Sequence, residues 1–340
     1  MFSISREKLI LKQIFVITIL LVTGCTSATN IPQQQPTVNY TFSPTAVIPT
    51  ISPTASPDKV EPLDPRPPPT LEITKTATRI TSPTIRPTLR PDEWQELPVI
   101  PEISDRVFEI YLRGVELGNN PNSFSKVGDC GTTPSWFLGD FDRGPDSYEL
   151  GGYTYLVPII DHFQGAYGRT SLAAKSGFNA SSIFSPIWSD RTHCQADETP
   201  LECEYRISNP AIAIIMLGSN DVWHQEVFEQ QMRKIIDFTI SEGIIPILST
   251  KADNEEKDGS INATIAELAL EYEIPLLNYW RAVQPLPDHG LQEDGVHITW
   301  GPNRFNDPQV MKKGWPVRNL VTLQILDAVW QWIQSDGTNQ

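Results

Sequence analysis

From residue 96 onward, apolar positions follow two alternating patterns. Short runs of consecutive apolar residues mark strands, and apolar residues spaced three or four apart mark helices. Ser104 reads as the N-cap of a helix in which Val107, Ile110, Tyr111 and Val115 recur until Gly118. A short strand is predicted over 124–127, a helix over 153–163 and a second strand over 171–175. The run over 211–217 is almost entirely apolar, as expected of a strand covered on both faces. Asp221 is placed to cap the next helix, whose apolar positions are Val227, Met232, Ile235, Ile236 and Ile240. A strand over 244–248, a helix over 261–272, a strand over 275–279 and a last helix over 317–334 complete the pattern. This β-α alternation predicts an α/β fold: a three-layer α/β/α sandwich with a mainly parallel sheet and right-handed crossovers. Ligands of such sheets bind outside the carboxyl ends of the strands.

The chain before residue 96 follows neither pattern. Arg6, Lys8 and Lys12 precede an apolar stretch over 14–22 that only Thr18 interrupts, which is too short to span a bilayer comfortably. The stretch ends in Val22-Thr23-Gly24-Cys25, which resembles the lipobox of bacterial lipoproteins. That resemblance implies a signal peptide over 1–24 and acyl chains on Cys25, hence a protein lipid-anchored to the bacterial cell membrane on its extracytoplasmic side. The plainer reading is an ordinary signal peptide or anchor with an incidental cysteine. Residues 25–95 then form a Pro/Thr/Ser-rich linker containing 14 of the 30 prolines. It has too little apolar surface to offset its ordering entropy, so a disordered stalk is expected. The domain is expected over 96–340.

Charge sharpens the picture of partners. The net −15 of the chain concentrates to −17 over 96–340, because 1–95 carries +2. A domain this acidic repels phosphate backbones, so no nucleic acid partner is expected, and neutral or cationic partners fit better. With Cys25 assigned to lipid, Cys130, Cys194 and Cys203 remain. An odd number outside the cytoplasm allows one disulfide and one thiol. Cys194 and Cys203 share one polar insertion and are the favoured pair. The alternative, Cys130 bonded to either, would remove its chemistry.

Four polar motifs follow one another: Gly128-Asp129-Cys130, Ser176-Gly177-Phe178-Asn179, Gly218-Ser219-Asn220-Asp221 and Asp294-Gly295-Val296-His297. The first three follow the ends of predicted strands and should meet at one rim. Alone, each has a plain reading as a tight turn, a turn glycine, a helix cap or a polar loop. Together and in this order, over 127–297, they resemble the SGNH hydrolases, also called the GDSL-type esterases and lipases, whose fold is flavodoxin-like. The resemblance implies a nucleophile at Cys130, where the family has serine. It implies oxyanion donors from the Cys130 and Gly177 N–H groups and the Asn220 amide, and an acid–base pair in His297 and Asp294. Attack on an acyl carbonyl builds charge on oxygen, and each fixed donor aimed there is typically worth about 3–4 kcal/mol. Sulfur ionises more readily than a hydroxyl, but its size displaces the attacking atom.

The expected activity is that of an esterase or acyl transferase acting on acylated carbohydrate or lipid, with no cofactor and no metal. Asp288, His289, Asp294 and His297 could be drawn as a metal cluster, but their spacing matches no helix-borne ligand pair. Trp136, Trp188, Trp223 and Trp300 lie near motifs or loops and would serve either as stacking platforms for sugar rings or as packing. The alternative function is a non-catalytic protein that keeps the cleft to bind a glycan or acyl ligand. An exposed thiol that oxidises readily is a third possibility.

Overall fold

The computed structural model describes residues 89, 90 and 92–337. The expected signal peptide, Cys25 and the stalk up to residue 88 lie outside the described residues. Four strands form one parallel sheet in the order β1 (Asn120–Gly128), β2 (Pro210–Met216), β3 (Ile245–Ser249) and β4 (Leu276–Leu277). Every residue of β2 except Met216 is buried, which is why its sequence lacks the polar alternation of a half-exposed strand.

The helices are α1 (Asp105–Leu117), α2 (Val157–His162), α3 (Ala180–Ile183), α4 (Pro200–Ser208), α5 (Gln225–Ser241), α6 (Ser260–Glu271), α7 (Tyr279–Val283) and α8 (Gly314–Gly337). α8 packs against α1, α2 and α7, while α5 packs against α3 and α6. Helices therefore flank the sheet in two groups. Ahead of α1, a 3-10 turn over Glu93–Glu96 sets Trp94 into the core, edge-on to Trp280 at 4.9 Å.

Beneath β1 the core is part aromatic and part ionic. Phe124 meets Phe163 and Tyr167 edge-on, with centroids 5.4 and 5.2 Å apart. Its strand neighbours are polar yet buried. Ser125 donates to Glu204 at 2.6 Å, and Arg169 pairs with the same carboxylate at 2.5 Å. Lys126 donates to the Tyr167 carbonyl at 2.6 Å, and burial lowers its pKa to about 7. These buried polar groups are hydrogen-bonded, as a low-dielectric interior requires, apart from Arg169 Nε, which is buried without a partner.

Four local expectations change. The strand expected over 171–175 shrinks to one parallel bridge, Ala174 beside Gly128. The helix over 153–163 splits into a 3-10 turn over Gly151–Leu156 and α2, which carries Pro158 in its first turn. The strand over 275–279 stops after Leu277, because the Asn278 side chain accepts from the Arg281 amide and starts α7. Asp221 does not cap α5, which begins after His224. α4 was legible but unread: Thr199 and Glu202 form a capping box with Pro200 at the first helical position.

The topology places a crevice. From β1 the chain touches the outer side of that strand at Ala174, then returns to β2 on the inner side. β1 is thus the point where strand order reverses, the usual seat of ligands in open α/β sheets. A cavity of about 380 Å³, lined by Leu117, Asn119, Tyr205, Phe238 and Ile244, lies instead at the amino ends of the strands.

Candidate active site

β1 ends in the first motif because no side chain fits at Gly128. A Cβ there would lie 2.4 Å from the Met216 carbonyl oxygen and 2.7 Å from Thr132. The turn that follows is closed by short polar bonds. The Gly131 amide donates to Asp129 at 2.8 Å, Thr132 to the Asp129 carbonyl at 2.7 Å, and Thr133 to the Cys130 carbonyl at 2.9 Å. Cys130 stands half-buried on this 3-10 turn, Cys130–Thr132. It takes no part in the disulfide, which joins Cys194 to Cys203 with Cα atoms 5.3 Å apart. Cys203 is fully buried on α4 rather than in the insertion loop.

The second motif is bonded to the first and third. The Gly128 amide donates to the Ala173 carbonyl, and the Lys175 amide donates back to Gly128. Asn179 caps α3, accepting from the Ser182 amide at 2.9 Å. Gly177 sits exposed in the turn before it, with open space around its Cα. From the third motif, Asn220 Nδ2 donates to the Phe178 carbonyl at 2.9 Å, and Asp221 accepts from the Ala180 amide at 2.9 Å. Ser219 donates to Asp253 at 2.6 Å, and Lys251 backs that carboxylate at 2.7 Å. At Gly218, with φ +131°, a Cβ would meet Ile261 at 2.8 Å, so both conformation and space require glycine.

Asp221 is a titratable group inside this scaffold. It is 2 % exposed, and its second carboxylate oxygen has no hydrogen-bond partner. Burial raises its pKa to about 6; the Ala180 and Gly218 amides oppose the rise and Asp129 adds to it. Its folded pKa exceeds the unfolded value, so the folded state holds a proton that the unfolded chain has lost between about pH 4 and 6. Stability therefore falls as pH rises through that window. Asp221→Asn keeps the acceptor for Ala180 and cannot ionise. Denaturant titration at pH 7.5 should find it up to roughly 3 kcal/mol more stable than the parent, with the difference vanishing below pH 4. A parent whose stability is flat from pH 4 to 7 would refute this.

The fourth motif forms its own acid–base pair. Asp294 Oδ1 accepts from the Val296 and His297 amides at 3.0 and 2.9 Å, and Oδ2 accepts from His297 Nδ1 at 2.7 Å. Desolvation pushes this carboxyl up, but the Val296 amide and the His297 ring and amide outweigh it and hold the pKa low. Nδ1–H is thereby the donor, leaving Nε2 as the basic nitrogen. The loop is anchored to the start of α8: Trp315 Nε1 donates to the Ile298 carbonyl at 3.1 Å, and the Gly314 amide to Thr299 Oγ1 at 2.9 Å.

One further residue ties α8 to the turn that follows motif one. From α8, Arg318 donates to the Gly131 carbonyl at 2.7 Å and to the Trp136 carbonyl at 3.2 Å. The Asp129 carboxyl, pushed up by burial, is pulled down by the Gly131 amide and by the charges of Arg318 and His297, while Asp253 raises it. His297, Asp129, Asp253 and Arg318 are therefore electrostatic neighbours. Arg318 belongs to no motif; its visible signal is that it is the one cation in the expected helix over 317–334. Asp288 and His289 sit apart on a left-handed turn, where His289 Nδ1 donates to the Gln284 carbonyl at 3.1 Å. Among the described residues, one close group of three potential ligands is Cys194, Glu198 and Cys203, two of which are spent in the disulfide.

No protein-family model matches the chain, and no curated protein does. Among solved structures, it is similar to an acetylxylan esterase from Geobacillus stearothermophilus, at 15% identity and a TM-score of 0.38 over 60% of this chain and 93% of that one. It is similar to a lipolytic protein of the G-D-S-L family from Desulfitobacterium hafniense, at 14% identity and 0.36 over 60% and 99%. A GDSL-like lipase from Bacteroides thetaiotaomicron gives 16% identity and 0.36 over 65% and 98%.

Proposed function

We propose that this chain is an SGNH-type esterase or acyl transferase, exported and lipid-anchored through Cys25, that acts on acylated carbohydrate or lipid through Cys130, His297 and Asp294. The observation that carries this reading is the 2.7 Å Asp294–His297 contact on a loop fastened through α8 to the Cys130 turn. His297 Nε2 takes the thiol proton, and Cys130 Sγ bonds to the acyl carbon. The carbonyl electron pair moves to oxygen, where the Cys130 and Gly177 N–H groups and the Asn220 amide receive it. Collapse expels the alcohol, which takes the proton from His297 and leaves a thioester. Water, or a second alcohol, then attacks with His297 again as base, and the thiol is restored.

Exposed indoles support a carbohydrate alcohol. Trp136, Trp188, Trp223 and Trp300 are 47, 53, 82 and 62 % exposed, and each follows one of the four motifs along the chain. Large exposed aromatic faces on an acidic domain suit neutral rings that stack. Aryl acetate hydrolysis by the full chain tests the reading. Turnover by the parent that disappears in Cys130→Ala is expected. Absence of turnover in both the parent and Cys130→Ser would reject the enzyme, and glycan binding by such a chain would favour the non-catalytic reading.

A further inference from the structure

A buried cation needs an anion, and among the described residues no carboxylate pairs directly with Arg318. The residue is 7 % exposed, its Nε is buried without a hydrogen bond, and its guanidinium lies 4.8 Å from the Phe137 ring centroid and 5.6 Å from that of Trp315. Its hydrogen bonds go to two neutral carbonyls, Gly131 and Trp136. A Cβ built on Gly131, the residue after the nucleophile, would lie 3.1 Å from Nη1, so the cation sits directly under that turn. Leaving a guanidinium in such a place is costly unless negative charge offsets it. Desolvation lowers its pKa, and the charges of Tyr279, Asp129 and Cys130 oppose that fall. Carbonyl dipoles alone do not balance a full charge.

We propose that Arg318 is a positioning residue for Cys130: it pins the turn through the Gly131 and Trp136 carbonyls and stabilises the thiolate through its buried charge. Interaction between two charges is mutual, so a thiolate that steadies the guanidinium is steadied by it. This matters for sulfur and not for a hydroxyl. A thiol ionises near pH 8.5, close enough to neutrality for one nearby cation to change its charge, whereas a serine hydroxyl stays protonated. The pinned turn also fixes the direction of the Cys130 N–H. The inference rests on the reading of Cys130 as nucleophile, but its readout is thiol ionisation and needs no turnover.

The test is the pH profile of Cys130 alkylation by iodoacetamide in the full chain, followed at the Cys130 peptide by mass spectrometry. The parent should react with a midpoint below about 8.5, the value of an unperturbed thiol. Arg318→Met should raise the midpoint by about 1–3 units and slow labelling at pH 7 about tenfold or more, while Arg318→Lys, which keeps the charge, should recover most of the shift. A folded Arg318→Met protein with the parental profile would overturn the proposal. So would an Arg318→Lys profile equal to that of Arg318→Met, because it would assign Arg318 a purely structural role. If Arg318→Met fails to fold, His297→Ala decides, since His297 is exposed and its loss spares the core. A midpoint still below about 8.5 in His297→Ala supports Arg318, and a return to that value refutes it. A chain with a lowered midpoint and no ester turnover would defeat the proposed function and leave this inference standing.

Discussion

His297→Ala is expected to lower aryl acetate turnover at pH 7 by about 100- to 10,000-fold, the usual range for removing a general base. In the proposed reaction the ring has two tasks, taking the thiol proton and returning it to the departing alcohol, and among the described residues no other basic side chain is bonded to Asp294. The second task cannot be bypassed by an already ionised thiol. The loss should therefore be larger for esters with poorly acidic alcohols than for aryl esters, whose leaving groups depart without a proton. Asp294→Asn should give a smaller loss, because the carboxylate is about half exposed and water partly replaces it. Steady-state rates with one aryl and one alkyl acetate check both statements. Equal losses on the two esters would contradict a role in leaving-group protonation.

Asn220→Ala is expected to reduce kcat by about 100- to 1000-fold with little change in KM, since an oxyanion donor acts on charge that appears only in the transition state. The amide has two N–H groups, and one is committed to the Phe178 carbonyl at 2.9 Å. That bond aims the second and fixes its rotamer. Asn220→Asp retains the shape and removes both donors, so it should be at least as damaging as alanine. A larger change in KM than in kcat would instead mark Asn220 as a ground-state contact.

Much of this was legible in the sequence because the relevant signals are local. The continuous apolar run of β2 and the spacing along α1, α5 and α8 reflect one-dimensional periodicity. The motifs were legible because the turns after strands demand special residues, as the backbone approach at Gly128 shows. What failed were choices settled by tertiary contacts. Residues 171–175 were apolar enough for a strand, but only Ala174 reaches an edge of β1. Asp221 matched a helix cap in sequence, yet its carboxyl is bonded 41 residues away to Ala180 and fastens motif three to motif two. Arg318 could be seen as an oddity in an apolar helix, but its meaning depended on the Gly131 carbonyl, 187 residues earlier. Side chains that connect motifs carry no spacing rule of their own.

Covalent attack by sulfur is the central step of the proposed reaction. Its most direct test is rapid mixing of the full chain with excess aryl acetate, reading released aryl alcohol and, after acid quench, the masses of its peptides. The prediction is a burst approaching one equivalent per chain and one acetyl group on the peptide containing Cys130, absent from Cys130→Ala. A linear release with an unmodified Cys130 peptide, or an acetyl group on another residue that survives in Cys130→Ala, would contradict it.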